Sequence, residues 1–76
     1  MNTLNDLRRA GQRARVLEIA GDDAVAVRLM EMGLTEDAEV ELIGFAPLGD
    51  PIEFLIRGYR LSLRKSEASR VQVELL

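Results

Sequence analysis

The sequence predicts a mainly β domain: a small closed or half-closed barrel of about five short strands, with one short α-helix inserted after the first. Three observations carry this. Apolar and polar residues alternate through most of the chain, the two-residue period of half-buried strands. One stretch alone, Ala24 to Met32, has a helical apolar period. Turn-forming residues punctuate the rest, at Gly21-Asp22-Asp23 and at Pro47-Leu48-Gly49-Asp50-Pro51.

Taken in order, Thr3 to Ala10 reads as one amphipathic turn, with Leu4 and Leu7 on one side and Gly11 as the stop. Arg13 to Ile19 reads as a strand whose parity slips at Val16–Leu17, the mark of a bulge. In the helix, Val25, Leu29 and Met32 form the apolar stripe, and Asp22 or Asp23 supplies the N-cap. Gly33 fits the left-handed position after the last turn, which sets Leu34 to close on Leu29. Met30 and Met32 read as core or cap packing. After a turn at Thr35–Ala38, Val40 and Leu42 face inward on the next strand. Ile52, Phe54 and Ile56 do so on the second arm of a hairpin. Gly58 breaks that run and suits a bulge or a close backbone approach. Tyr59, Leu61 and Leu63 then face one way, a turn follows at Lys65–Ala68, and Val71, Val73 and Leu75 form the last strand.

With 76 residues the chain makes one domain, 1–76. A domain this short buries only about 60% of its unfolded surface, so its core is thin. No uncharged run approaches the ~20 apolar residues of a membrane span, so direct membrane insertion is not expected. The opening MNTLNDLRRA puts charge where a signal peptide needs an apolar stretch, and a cytoplasmic location is the expectation.

Absent residues narrow the function classes. The chain has no His and no Cys, so it lacks the usual base near neutral pH and the strongest nucleophile. Ser62, Ser66 and Ser69 have no imidazole to activate them. The paired carboxylates read as a helix cap and as solvated strand faces. An enzyme is not expected, nor a cofactor. Ferrous iron favours imidazole among its ligands, so no metal site is expected beyond weak holding by Glu36, Asp37 and Glu39.

Charge is segregated along the chain. Residues 21 to 53 carry nine acids against Arg28 alone, the first 20 carry four arginines against two acids, and residues 54 to 76 carry five bases against two acids. Pairing of the first and last strands would give the molecule a basic and an acidic side, suited to oriented docking on a charged partner. Solvated strand faces explain the same pattern equally well.

Two stretches are more specific: RLMEMGL over residues 28–34, and APLGDPIEFLIRGYRLSLRKSEA over residues 46–68. With this spacing the chain resembles the FeoA family of small cytoplasmic proteins of bacterial ferrous iron transport, from about Leu4 to Val73. The resemblance implies an SH3-like β-barrel with an inserted helix, and a role in assisting or regulating FeoB, the membrane ferrous iron transporter. Related domains occur in metal-dependent repressors. The 76 residues hold no DNA-binding domain, so the free-standing transport accessory is the expectation. Where the family's turn after the helix often reads T-P-G, this chain has Thr35-Glu36-Asp37, and Asp tolerates a left-handed backbone better than most residues.

The motif residues have structural roles first. Pro47 and Pro51 stiffen the hairpin connection, Gly49 gives backbone freedom, and Asp50 suits bonding to nearby amides. The partner-binding expectation rests on Leu48, Gly49, Asp50 and Pro51, with Leu48 as an apolar tip, and on Arg57, Arg60 and Arg64 as a guanidinium row on one strand face. Ion pairs with the protein's own glutamates explain the arginines as well. The partner implied is a FeoB-type transporter, through its cytoplasmic nucleotide-binding domain or its membrane part.

Rival classes are weaker. Nucleic-acid binding needs a basic footprint and aromatic platforms; the net charge is −3, and Phe45, Phe54 and Tyr59 fall mostly on inward parity. A polyproline reader needs several exposed rings, and there is no Trp and one Tyr. Weak self-association through Leu55 and the edge at Val71–Leu76 is the third alternative.

Overall fold

The computed structural model describes residues 2–76. Strands β1 (Asn2–Thr3), β2 (Arg13–Ile19), β3 (Glu39–Phe45), β4 (Ile52–Ile56), β5 (Tyr59–Leu63) and β6 (Val71–Leu75) alternate with α1 (Ala24–Glu31) and the four-residue α2 (Lys65–Ala68). The strands make one antiparallel sheet in the order β1-β6-β2-β3-β4-β5. The curled sheet does not close. Of the two expected forms it is the half-closed one, with β1 and β5 at its edges.

Alternation decides the core. Ala14 and Val16 of β2, Val40 and Leu42 of β3, Ile52, Phe54 and Ile56 of β4, and Val71 and Val73 of β6 are all buried. Phe54 sits opposite Leu42 and Leu61, fully buried in the core. Each large side chain so buried contributes about 1.5–3 kcal/mol. Leu4 and Leu7 close one end from a 3₁₀ turn, Leu4–Asp6, capped by the Thr3 hydroxyl and the Asp6 carboxylate.

Helix α1 starts and stops where its sequence dictates. The Asp23 carboxylate accepts from the Ala26 N–H at 3.1 Å. At the other end the Leu34 N–H donates to the Leu29 carbonyl and the Gly33 N–H to that of Met30, with Gly33 at φ 104°. This paired closure needs a left-handed residue at position 33 and brings two leucines together. Leu29 and Leu34 are both buried.

Several local expectations change. Between β2 and β6 the register slips from Val16 to Glu18, so the bulge is present and it carries Leu17 outward. A second slip, between Leu42 and Gly44 of β3, sets Phe45 opposite buried Ile52, yet Phe45 at the strand end is 41% exposed. Tyr59, first after a turn, is also partly exposed, so only Phe54 of the three aromatics is interior. Gly58 makes neither a bulge nor a close approach. Arg57 and Gly58, at φ 50° and 86°, form the two-residue turn that joins Ile56 to its partner Tyr59. Met32 packs against the core, but Met30 points out and is 44% exposed. The proposed adhesive edge is also not an edge, because β6 lies between β1 and β2 and Leu55 belongs to interior β4.

Candidate partner-docking site

The connection from β3 to β4 is a short chain of constraints. The Ala46 N–H donates to the Pro51 carbonyl at 3.0 Å and the Gly49 N–H to the Ala46 carbonyl at 2.7 Å, which closes a four-residue turn. Pro47 presets its second position, and Gly49, at φ 88°, takes a conformation that side chains resist. The Asp50 carboxylate accepts from the Lys65 backbone N–H at 3.0 Å and fastens the turn to the start of α2. The residue at the tip is Leu48, 95% exposed. A leucine held in water on so constrained a loop leaves its burial free energy unused, about 1.5–3 kcal/mol available to a partner.

The structure gathers only some of the expected site residues. Leu48, Gly49, Asp50 and Pro51 share the turn, and Arg64 lies next to it, directly before α2. Lys65, not singled out from the sequence, joins them; its ammonium is 3.6 Å from where a Gly49 side chain would begin. Neither Arg64 nor Lys65 has an ion-pair partner among the described residues. The guanidinium row does not form. The β4–β5 hairpin places Leu63 opposite Ile52 beside the Leu48 turn and Tyr59 opposite Ile56 at the far end. Arg57, in the far turn, donates to the Thr35 hydroxyl at 2.9 Å, and Arg60 pairs with Glu53 at 3.7 Å. The alternative reading, an ion pair with the chain's own glutamate, holds for Arg60.

The expected division into a basic and an acidic side does not form either. Arg13 meets Glu39 at 3.6 Å, Arg60 meets Glu53, and Arg70 meets Asp23 at 2.6 Å. Antiparallel pairing sets the basic flanks of the sequence beside its acidic middle. Hydrogen bonds from Arg70, then from the Ala26 amide, hold the Asp23 carboxyl at about 2, below its ordinary value of 3.8. Glu36, Asp37 and Glu39 do not converge, and among the described residues no three acidic side chains cluster as metal ligands would.

A second feature escaped the sequence reading. Between β2 and α1 runs a groove of about 390 Å³ lined by Leu17, Ile19, Met30 and Leu34, with Glu18, Thr35 and Glu36 at its rim. Its signals were the parity slip at Leu17 and the position of Met30 beside the helix stripe. Each has a plain packing interpretation until the bulge is seen.

The half-open antiparallel sheet with a helix inserted after β2 defines a small SH3-like domain. Residues 2–75 match the FeoA domain family, and the chain belongs to that family. It is 32% identical over 66 residues to an Fe(2+) transport protein A/Fe(2+) transporter FeoB fusion protein of Porphyromonas gingivalis, covering 87% of this chain and 8% of that protein. The chain thus spans only a small part of that relative. The solution structure of a Chlorobium tepidum FeoA protein superposes with a TM-score of 0.88 at 43% identity, over 99% of this chain and 70% of that one. A Stenotrophomonas maltophilia FeoA crystallised with zinc, described as a prokaryotic SH3 domain protein, gives a TM-score of 0.84 at 33% identity, over 97% and 91% of the two chains.

Proposed function

We propose that this chain is a non-catalytic accessory of ferrous iron uptake that docks, in the cytoplasm, on the cytoplasmic part of a FeoB-type transporter. The observation that carries the reading is the fused relative, in which an FeoA unit and an FeoB transporter share one polypeptide. Fusion holds two modules at an effective concentration on the order of millimolar, which suits a pair that works in contact. The docking face is the Leu48–Pro51 turn with Arg64 and Lys65 beside it. Leu48 enters an apolar recess of the partner and the two cations meet carboxylates at its rim, an anchor with a polar surround. Arg57 and Arg60 stand apart from that face and contribute orientation through long-range charge.

The test is a titration of isotope-labelled protein with the cytoplasmic domain of its cognate FeoB-type transporter, with and without guanine nucleotide, followed by NMR. Amide shifts are expected to cluster at Leu48–Pro51, Arg64 and Lys65. Leu48→Ser is expected to weaken binding about tenfold, equivalent to about 1.4 kcal/mol. The folding stability of that variant stays within about 0.5 kcal/mol of the parent, because the side chain packs on nothing. Absence of shifts with that domain would move the partner elsewhere or end the reading.

A further inference from the structure

We infer that the groove between β2 and α1 is a second docking point, and that its occupant is a cationic amphipathic segment of the same transporter's cytoplasmic part. The inference rests on the docking function proposed above and adds a face that shares no residue with the Leu48 turn.

The groove has the chemistry of an anchor site. Leu34, fully buried, forms part of its lining, and Leu17 and Met30 stand beside it at 43% and 44% exposure. Its volume, about 390 Å³, lies within the range of pockets that bury an inserted group. The bulge in β2 holds Leu17 outward, and Met30 is a flexible thioether that adapts to an incoming side chain. The charge at the rim selects the occupant. Glu18 and Glu36 line the groove, both are exposed, and neither has an ion-pair partner among the described residues. No basic residue lines it, although the Arg57 guanidinium donates to the hydroxyl of Thr35, one of the lining residues. An apolar residue flanked by Lys or Arg satisfies both the floor and the rim. The domain therefore carries two anchors of opposite sign, a leucine tip beside free cations and an apolar groove beside free carboxylates. Two such contacts fix orientation where one leaves the module free to rotate.

The test compares the parent with three variants against the cognate transporter's cytoplasmic domain, by calorimetry and NMR: Glu18→Lys with Glu36→Lys, Leu17→Ser with Met30→Ser, and Leu48→Ser. All the altered side chains are exposed, and thermal melting confirms that each variant folds. The charge reversal is expected to weaken binding at least tenfold and to reduce its salt dependence. The Leu17/Met30 variant is expected to lose the amide shifts along the groove while those at Leu48–Pro51 persist. Binding within twofold of the parent for both groove variants, with Leu48→Ser still impaired, overturns the groove while docking stands. If the parent itself does not bind, docking fails and the groove assignment falls with it. Should groove variants change only the sedimentation of the protein with itself, the occupant is a second copy, and the transporter segment is refuted.

Discussion

Asp37 shows how one residue departs from what its position asks for. Its φ of 71° is left-handed, in a turn whose neighbours are fixed on both sides. The Asp37 N–H donates to the Val16 carbonyl at 2.8 Å, and the Val16 N–H donates to the Ala38 carbonyl at 2.9 Å. The left-handed conformation costs an ordinary residue about 1–2 kcal/mol, less for Asp, whereas Gly adopts it freely but loses about 0.5–1 kcal/mol more chain entropy on folding. The conformational gain narrowly wins. Asp37→Gly is expected to raise stability by about 0.5 kcal/mol, and Asp37→Val to lower it by more than about 1 kcal/mol, both read from urea melts. Equal stabilities for the three proteins would mean that position 37 is not held left-handed. Leu48 is the complementary case, a residue 95% exposed that adds little to the fold and that the proposed docking would use.

At the scale of elements, one arginine ties the entry of α1 to the entry of β6. The Arg70 guanidinium donates to both Asp23 oxygens, at 3.1 and 2.6 Å, and to the Ala20 carbonyl at 3.2 and 3.0 Å. Asp23 also caps α1, so its charge serves two elements. Its carboxyl titrates at about 2 in the folded chain against an ordinary 3.8, the depressed direction. The stabilisation it provides is therefore complete above the ordinary value and is lost as pH falls from about 4 towards 2. Arg70→Gln removes the main cause of the shift. The variant is expected to lose less stability than the parent between pH 4 and pH 2, measured as the difference in urea midpoints, and its Asp23 to titrate nearer the ordinary value by NMR. Identical slopes would refute the coupling.

The same scale shows what could be read in advance. The strands with strict alternation, Ile52 to Ile56 above all, were legible because each buries one face, and a slip by one residue would expose it. The helix stop was legible because Gly33 and Leu34 carry a closure with fixed hydrogen-bond partners. The two-residue β1 was not, since its pairing with Gln72 and Val73 is a long-range event with no local pattern. The Arg57–Gly58 hairpin was missed because a left-handed arginine is not a turn signal. Among site residues the Leu48 turn was visible as chemistry. The row of three arginines was not real, because Arg57 lies in the turn before β5, while Arg60 and Arg64 stand at opposite ends of that strand and Arg60 pairs with Glu53.

Across the whole molecule, stability rests on apolar burial, whereas the proposed docking draws on exposed charge as well. Every residue that is fully buried is apolar, and no polar or charged residue is buried among those described. The ion pairs, Arg13–Glu39, Arg15–Glu74, Arg28–Glu67, Arg60–Glu53 and Arg70–Asp23, all have at least one largely solvated partner. Exposed pairs are worth about 0–1 kcal/mol each and are screened by salt. Among the charges outside these pairs, Arg64 and Lys65 lie by the exposed Leu48, and Glu18 and Glu36 line the groove with Leu17 and Met30. At about 1 M salt the screening length falls to roughly 3 Å, shorter than most of these charge separations in an encounter. Thermal stability is then expected to change by less than about 1 kcal/mol, because the apolar core does not sense ions. Binding to the transporter's cytoplasmic domain is expected to weaken at least tenfold over the same range, mainly through slower association. Calorimetric melting and stopped-flow binding on one preparation measure both. A melting temperature that falls in step with the affinity would place the stabilising forces in the surface charges, and would overturn the separation of core from recognition surface on which the docking face was assigned.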